Sequence, residues 1–217
     1  MRHLEKMAAF FEARIEGYDD HMLNDVGGCR AGYLRMAEEV PADASRLLDL
    51  GCGTGLELSP ILRRLPSLSV VGIDLSAAML GRLREKFPKS DVWTVEGDYF
   101  AVPFGEERFS AAVSFESLHH FSAEKKAGLY RKVHRALAEG GVFLECDYMV
   151  QTKEEEECLF AEYRRRLAED GCDGEEYYHF DTPLTVKKEM ALLREAGFSR
   201  VEEIFREENT VLLRAEK

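Results

Sequence analysis

Basic residues are in short supply: 29 Lys and Arg face 41 Asp and Glu, a formal net charge of -12 over 217 residues. An acidic surface repels phosphate backbones, so a bulk nucleic-acid partner is disfavoured. No apolar run approaches the roughly 20 residues that span a bilayer, so no membrane span is expected. The opening Met1-Arg2-His3-Leu4-Glu5-Lys6 is charged where a signal peptide needs an apolar stretch. The expected location is the cytoplasm. Cys-x-x-Cys is absent too. The five cysteines, Cys29, Cys52, Cys146, Cys158 and Cys172, are scattered and odd in number, which reads as reduced thiols and not as a disulfide framework or a zinc site. No metal is expected. No internal repeat, low-complexity tract or linker breaks the chain. With 45% hydrophobic and 10% aromatic residues it reads as a single globular domain, 1–217, able to bury a sizeable core.

What is present centres on Leu47-Leu48-Asp49-Leu50-Gly51-Cys52-Gly53-Thr54-Gly55. A short apolar strand runs into an acid and three glycines at alternate positions. Leu58, Ile61, Leu62 and Leu65 then follow at helical spacing. Strand, glycine turn and helix open a nucleotide-binding α/β unit. Glycine admits positive φ and lets the backbone lie directly against a ligand. A dinucleotide fingerprint needs a third glycine where Leu56 stands, which disfavours a nicotinamide oxidoreductase, and a phosphate-binding P-loop needs a Lys that is missing. Asp49 would repel a pyrophosphate but suits a cationic ligand.

Asp-x-Gly-x-Gly-x-Gly is the first motif of the class I S-adenosylmethionine-dependent methyltransferases, and this stretch resembles it at every defining position. The resemblance implies a doubly wound, seven-stranded, mostly parallel α/β sheet with its last strand reversed. It also implies S-adenosylmethionine as cofactor and S-adenosylhomocysteine as product. Asp49, Gly51, Cys52, Gly53 and Gly55 form the turn, with Asp49 toward the methionine end and Cys52 a small packing residue. A second strand, Ser69 to Asp74, ends in an acid about twenty residues on, where a carboxylate with two acceptor oxygens suits a ribose diol. Ser76 can cap the helix that follows, freeing Asp74 for that task. Leu75 and Met79 belong to the same face. A third strand, Val92 to Val95, delivers Asp98 and Tyr99, which the resemblance places at the adenine. The fourth, Phe109 to Phe115, delivers Glu116-Ser117-Leu118-His119-His120-Phe121, beside the first strand and facing the sulfonium and the acceptor. A similar Leu-His-His segment occurs in the ubiquinone-biosynthesis-like, small-molecule branch.

Residues 1–41 read as an N-terminal helical cap whose first helix carries Met7, Phe10, Phe11 and Ile15 on one face and frays at Tyr18-Asp19. In the family such a segment folds over the cofactor, so Tyr18 is either a lid residue or plain packing. Ser122 caps a helix that Gly140-Gly141 ends before a fifth strand, Val142 to Cys146. The run Glu154 to Glu157 opens a charged helix and reads as a solvated face. Gly171-Cys172-Asp173-Gly174 breaks that helix. Residues 152–182 form an insertion near the substrate pocket, with Tyr178 and His179 as recognition residues. Thr185 can cap the last helix, and Val201 to Phe205 pairs with Thr210 to Ala215 as a hairpin.

The implied reaction is in-line attack on a sulfonium methyl. A hydroxyl or thiol acceptor needs a base, and His119, His120 and His179 are the candidates, with Tyr178 orienting the acceptor. A His that follows a strand is more often a packed, hydrogen-bonded residue than a base, so a packing role stays open for each of the three. The adenine-amino tetrapeptide and the Lys-Asp-Lys-Glu set of ribose methylation are absent. A small-molecule acceptor therefore leads. A tRNA-base methyltransferase, using Arg164-Arg165-Arg166 and Lys187-Lys188, and a non-catalytic S-adenosylmethionine-binding protein are the alternatives. Glu116 bears on the cofactor or the acceptor. A monomer or a homodimer is expected.

Overall fold

The computed structural model describes residues 3–172 and 176–217; the expected breaker at Gly171-Cys172-Asp173-Gly174 lies partly outside them. Seven strands, β1 (Arg46–Leu50), β2 (Ser69–Asp74), β3 (Val92–Glu96), β4 (Phe109–Phe115), β5 (Leu137–Tyr148), β6 (Arg200–Glu207) and β7 (Thr210–Glu216), form one sheet. Its order is β3-β2-β1-β4-β5-β7-β6. β7 runs antiparallel to both β5 and β6, and the remaining pairs are parallel. β1 and β4 are buried almost throughout because both sheet faces are covered. Leu47, Val70, Val113 and Leu144 pack into one layer, while Leu48, Leu50, Ile73 and Phe143 pack into the other. The strand order reverses between β1 and β4, where doubly wound sheets open a crevice beyond their carboxyl ends.

Helices α1 (Met7–Glu12), α2 (Tyr18–Asn24), α3 (Cys29–Glu39), α4 (Leu58–Arg64), α5 (Ala77–Lys86), α6 (Ala123–Ala136), α7 (Lys153–Asp170) and α8 (Val186–Glu195) complete the fold. α3, α4 and α5 contribute Met36, Ile61 and Leu83 to the first layer. α6 and α8 contribute Leu129, Val133 and Leu193 to the second. Four local expectations are corrected. The first helix stops at Glu12, and Tyr18 begins a separate helix instead of fraying the first. Gly140-Gly141 does not end α6, because Leu137 already takes extended backbone. The glycine pair sits inside β5, where the register against β4 slips between Phe109 and Ala111. Ser76 and Ser122 cap as expected, through Met79 N–H at 3.3 Å and Lys125 N–H at 3.5 Å. The Thr185 side chain makes no capping bond. Instead its N–H donates to Glu156 Oε2 at 2.8 Å, and Glu156, expected on a solvated face, is 5% exposed and also accepts from Lys188 Nζ.

Two further features shape the molecule. Between α6, α8 and β5, Lys126 pairs with Glu189, and the Tyr130 hydroxyl lies 2.6 Å from Glu189 Oε2 and 2.7 Å from Glu145 Oε1, all deeply buried. One phenolic proton cannot serve two carboxylates. Glu145, driven well above the usual carboxyl range by burial and by Glu189, is the group that carries a proton and closes the chain. At the carboxyl edge of the sheet, the Met7 N–H donates to Tyr177 O at 2.8 Å and the His179 N–H to Glu5 O at 2.9 Å. The N-terminal segment and the end of the 152–182 region are thereby joined, with Tyr178 bridged to Lys6.

Candidate active site

The glycine turn follows β1 directly, with φ of +72° at Gly51 and +47° at Gly53. A Cβ at Gly51 would collide with the Ser117 side chain, which follows β4. A Cβ at Gly53 would come no nearer than 3.9 Å, to Tyr18, so the turn presents bare backbone to the Tyr18 ring across a narrow cleft of about 50 Å³. The Gly51 and Cys52 N–H groups donate to Ile73 O, and the Gly53 N–H donates to Asp74 Oδ2 at 2.9 Å. Asp74 Oδ1 accepts from Ser76 N–H at 2.8 Å. Asp74 therefore organises the turn from the end of β2 while keeping lone pairs for a ligand.

Asp49 is placed differently from the sequence expectation. It is 1% exposed, beneath the turn, and both its oxygens lack hydrogen-bond donors. Its neighbour is Glu57, also buried, which sequence reading passed over because it sits in the polar start of an amphipathic helix. Burial pushes Glu57 from 4.5 up to about 7, and burial together with Glu57 pushes Asp49 well above the usual carboxyl range. The two acids share protons as a pair. A carboxyl raised in the folded state stabilises the fold below its unfolded value and loses that contribution as pH climbs through its folded value. Glu57→Gln should therefore flatten the pH dependence of thermal unfolding between about pH 4.5 and 7 and raise the midpoint at pH 8 by several degrees. A variant whose midpoint still falls across that window as the parent's does would refute the pairing.

A cleft opens over the turn. Among the expected cofactor residues Tyr18, Gly51, Gly53, Asp74, Leu75, Met79, Tyr99 and Glu116 line it, with Met7, Phe11, Ser117 and His120 as additions. Four do not face it: Asp49, for the reason above; Cys52, packed beneath the sheet with its Sγ toward Gly72; Gly55, pressed on Phe87 and Leu83; and Asp98. The Asp98 carboxylate accepts instead from Phe100 N–H at 2.7 Å and Tyr177 hydroxyl at 3.0 Å. The Tyr99 hydroxyl reaches the Ser117 hydroxyl at 3.1 Å, which ties the ends of β3 and β4 across the cleft. A bare-backbone cradle, a carboxylate with spare acceptors and the apolar Leu75, Met79 and Phe121 together suit an adenosyl group with a cationic tail.

Beyond Tyr18 lies a second cavity of about 740 Å³. Phe11, Tyr18, Glu116 and His120 line both spaces. His119 and His179 line only the second, with Asp181 and Tyr148. Tyr178 lines neither, because its backbone is engaged with Lys6. Glu116 holds a non-glycine φ of +46°, an uncommon conformation that collects at functional sites. Its carboxylate accepts from the Thr210 hydroxyl at 3.2 Å and lies 3.6 Å from His119 Nδ1. Burial raises it to about 7 against the pull of His119. His119 Nδ1 lies 2.5 Å from Asp147 Oδ1, and Asp147 is fixed in turn by the Leu118 and Tyr148 N–H groups. Burial works against a charged His119, but Asp147 outweighs it and holds the imidazole well above its usual range. His120 is pushed the other way, by burial and by the charge on His119. Asp147 is expected from the sequence only as the close of the fifth strand on the motif side of the sheet, and Asp181 is not expected at all. Asp147 closes a strand like any helix-facing acid, and Asp181 carries no local pattern.

The reversed-strand sheet, the glycine turn and the acid at the end of β2 are arranged as in the class I S-adenosylmethionine-dependent methyltransferases, and the likenesses that follow support an enzyme whose cofactor is S-adenosylmethionine. Residues 47–141 match the family described as a methyltransferase domain. A carboxy-S-adenosyl-L-methionine synthase of Nautilia profundicola is 23% identical over 95% of this chain and 93% of its own length. A cypemycin N-terminal methyltransferase from Streptomyces is 31% identical over 64% of this chain and 56% of its own. Among solved structures, an O-methyltransferase family protein from Burkholderia thailandensis superposes with a TM-score of 0.68 at 19% identity, covering 93% of this chain. The chain spans 59% of that protein, a little over half, so the likeness is one of fold. Among the described residues no helix is long and apolar enough to cross a membrane.

Proposed function

We propose that the second cavity holds a small-molecule acceptor and that the chain transfers a methyl group from S-adenosylmethionine to it. The observation that carries this reading is the shared wall: Phe11, Tyr18, Glu116 and His120 border both spaces, so a group in the cleft and a molecule in the cavity would meet there. About 740 Å³ is a volume typical of small-molecule sites. When bound, S-adenosylmethionine supplies an electrophilic methyl on a positively charged sulfur. The chain's own work is to orient and to exclude water. Asp74 accepts ribose hydroxyls, Glu116 bears on the cationic end, and Phe11 and Tyr18 cover the meeting point. His119, His120 and His179 form the wall where a hydroxyl or thiol acceptor would be activated.

The net charge of -12 and the Leu118-His119-His120 resemblance to the small-molecule branch favour this over a tRNA acceptor. The open cavity favours it over a binding protein without turnover. Labelled S-adenosylmethionine incubated with a small-molecule extract should yield S-adenosylhomocysteine and one labelled product. His179→Ala, which alters the second cavity alone, should lower transfer at least about tenfold while leaving S-adenosylhomocysteine affinity unchanged. Label entering RNA, or a modified adenosyl product of the kind named for the Nautilia relative, would overturn the assignment.

A further inference from the structure

We infer that His119, His120 and Asp181 form a binding site for a divalent transition-metal cation in the wall of the second cavity. No local pattern marks one: the two histidines are adjacent, and the carboxylate comes from a segment 61 residues beyond the second of them. The fold joins these pieces rigidly. The Thr182 N–H donates to His119 O at 2.8 Å and its hydroxyl reaches the same oxygen at 3.3 Å; the Phe180 carbonyl, 3.2 Å from His120 Nδ1, is the contact an ion at that nitrogen would displace. Asp181 is thereby set opposite both imidazoles.

The distances separate a cation site from a hydrogen-bonded cluster. Asp181 Oδ1 lies 3.5 Å from His119 Nε2 and 3.4 Å from His120 Nδ1. A charge-assisted N–H to carboxylate bond would draw in to about 2.7–2.9 Å, and here both rings stop short of the same oxygen. Ligands at about 2.0–2.1 Å from a tetrahedral cation stand roughly 3.3–3.4 Å apart. The donor atoms of the three side chains all lie within 4.8 Å of one another. His119 has the support that metal-bound histidines have: its Nδ1 is held by Asp147 at 2.5 Å, and Asp147 is itself fixed by two backbone N–H groups. Once an incoming ion displaces the Nε2 proton, that arrangement fixes the tautomer and leaves Nε2 as the ligating atom. Two imidazoles and one carboxylate leave the fourth position of a tetrahedral ion open, as catalytic zinc sites do. It faces a cavity and not the core, since all three residues line that space.

The cation would take an oxygen or nitrogen donor of the acceptor in its open position. That last step rests on the acceptor reading above; the cation site does not. The test is accordingly made without any acceptor. Protein dialysed against chelator is titrated with Zn²⁺ by calorimetry and with Co²⁺ by visible absorption. We expect one ion per chain and, for Co²⁺, the intense d–d bands of a low-coordinate site. Asp181→Asn and His120→Gln should each weaken binding by at least tenfold, and Asp147→Asn, which touches no ion, by about 10–100-fold. Asp181 is 45% exposed at its side chain, so its variant should fold, with unchanged S-adenosylhomocysteine binding as the check. No ion bound, the weak spectrum of octahedral Co²⁺, or an affinity indifferent to Asp181→Asn would overturn the site. Ion binding without methyl transfer would overturn the acceptor reading alone.

Discussion

Asp74→Ala should weaken S-adenosylhomocysteine binding by two to three orders of magnitude. Its carboxylate accepts from the Gly53 and Ser76 N–H groups at 2.9 and 2.8 Å and lines the cleft. Truncation removes the ribose acceptor and leaves two part-buried donors without a partner. Hydrogen bonds to a charged group contribute about 1.5–3 kcal/mol each, so losing two toward the ligand reaches about 100-fold or more. Relaxation of the turn adds to it. Asp74→Asn keeps one acceptor oxygen and should fall between. Calorimetric titration separates the cases: a change below about fivefold in the alanine variant would show that the ribose does not lie against Asp74.

Lys126→Met should destabilise the fold by about 3–5 kcal/mol, the cost of leaving a buried charge without its partner. Lys126 is fully buried against Glu189, which also accepts from Tyr130. Without the ammonium, Glu189 must either stay charged in an apolar layer or take up a proton beside Glu145, which already holds one. For a chain of this size the unfolding midpoint should drop by roughly 10 °C. Glu189→Gln introduced with Lys126→Met should recover part of the loss, since it removes the orphaned charge. A single variant within about 1 kcal/mol of the parent in denaturant titration would contradict the pairing.

Local pattern carried much of the cleft lining. Gly51, Gly53 and Asp74 could be read because strand, turn and acid follow within a short stretch, where backbone geometry dictates residue type. Asp49 was legible as a residue and misleading as a contact: the same position that faces the ligand side in the motif is closed off here by Glu57. The second cavity depends on chain crossings. The partners of His119 stand 28 and 62 residues away, on β5 and in the loop before α8, and nothing in the alternation of either segment marks Asp147 or Asp181. Buried charges were the second blind spot. Lys126, Glu156 and Glu189 occupy polar positions in amphipathic helices, and only their neighbours across the layer decide that they are interior.

The hydrogen bonds from Met7 to Tyr177 and from His179 to Glu5 have a kinetic consequence. The roof of the cleft, Met7 and Phe11, and a wall of the cavity, His179, stacked on Phe10 with ring centroids 3.4 Å apart, belong to one mechanical unit. Opening either compartment should thus disturb the wall of the other. Turnover should therefore follow a compulsory order, with donor loading setting the aperture through which the second reactant arrives.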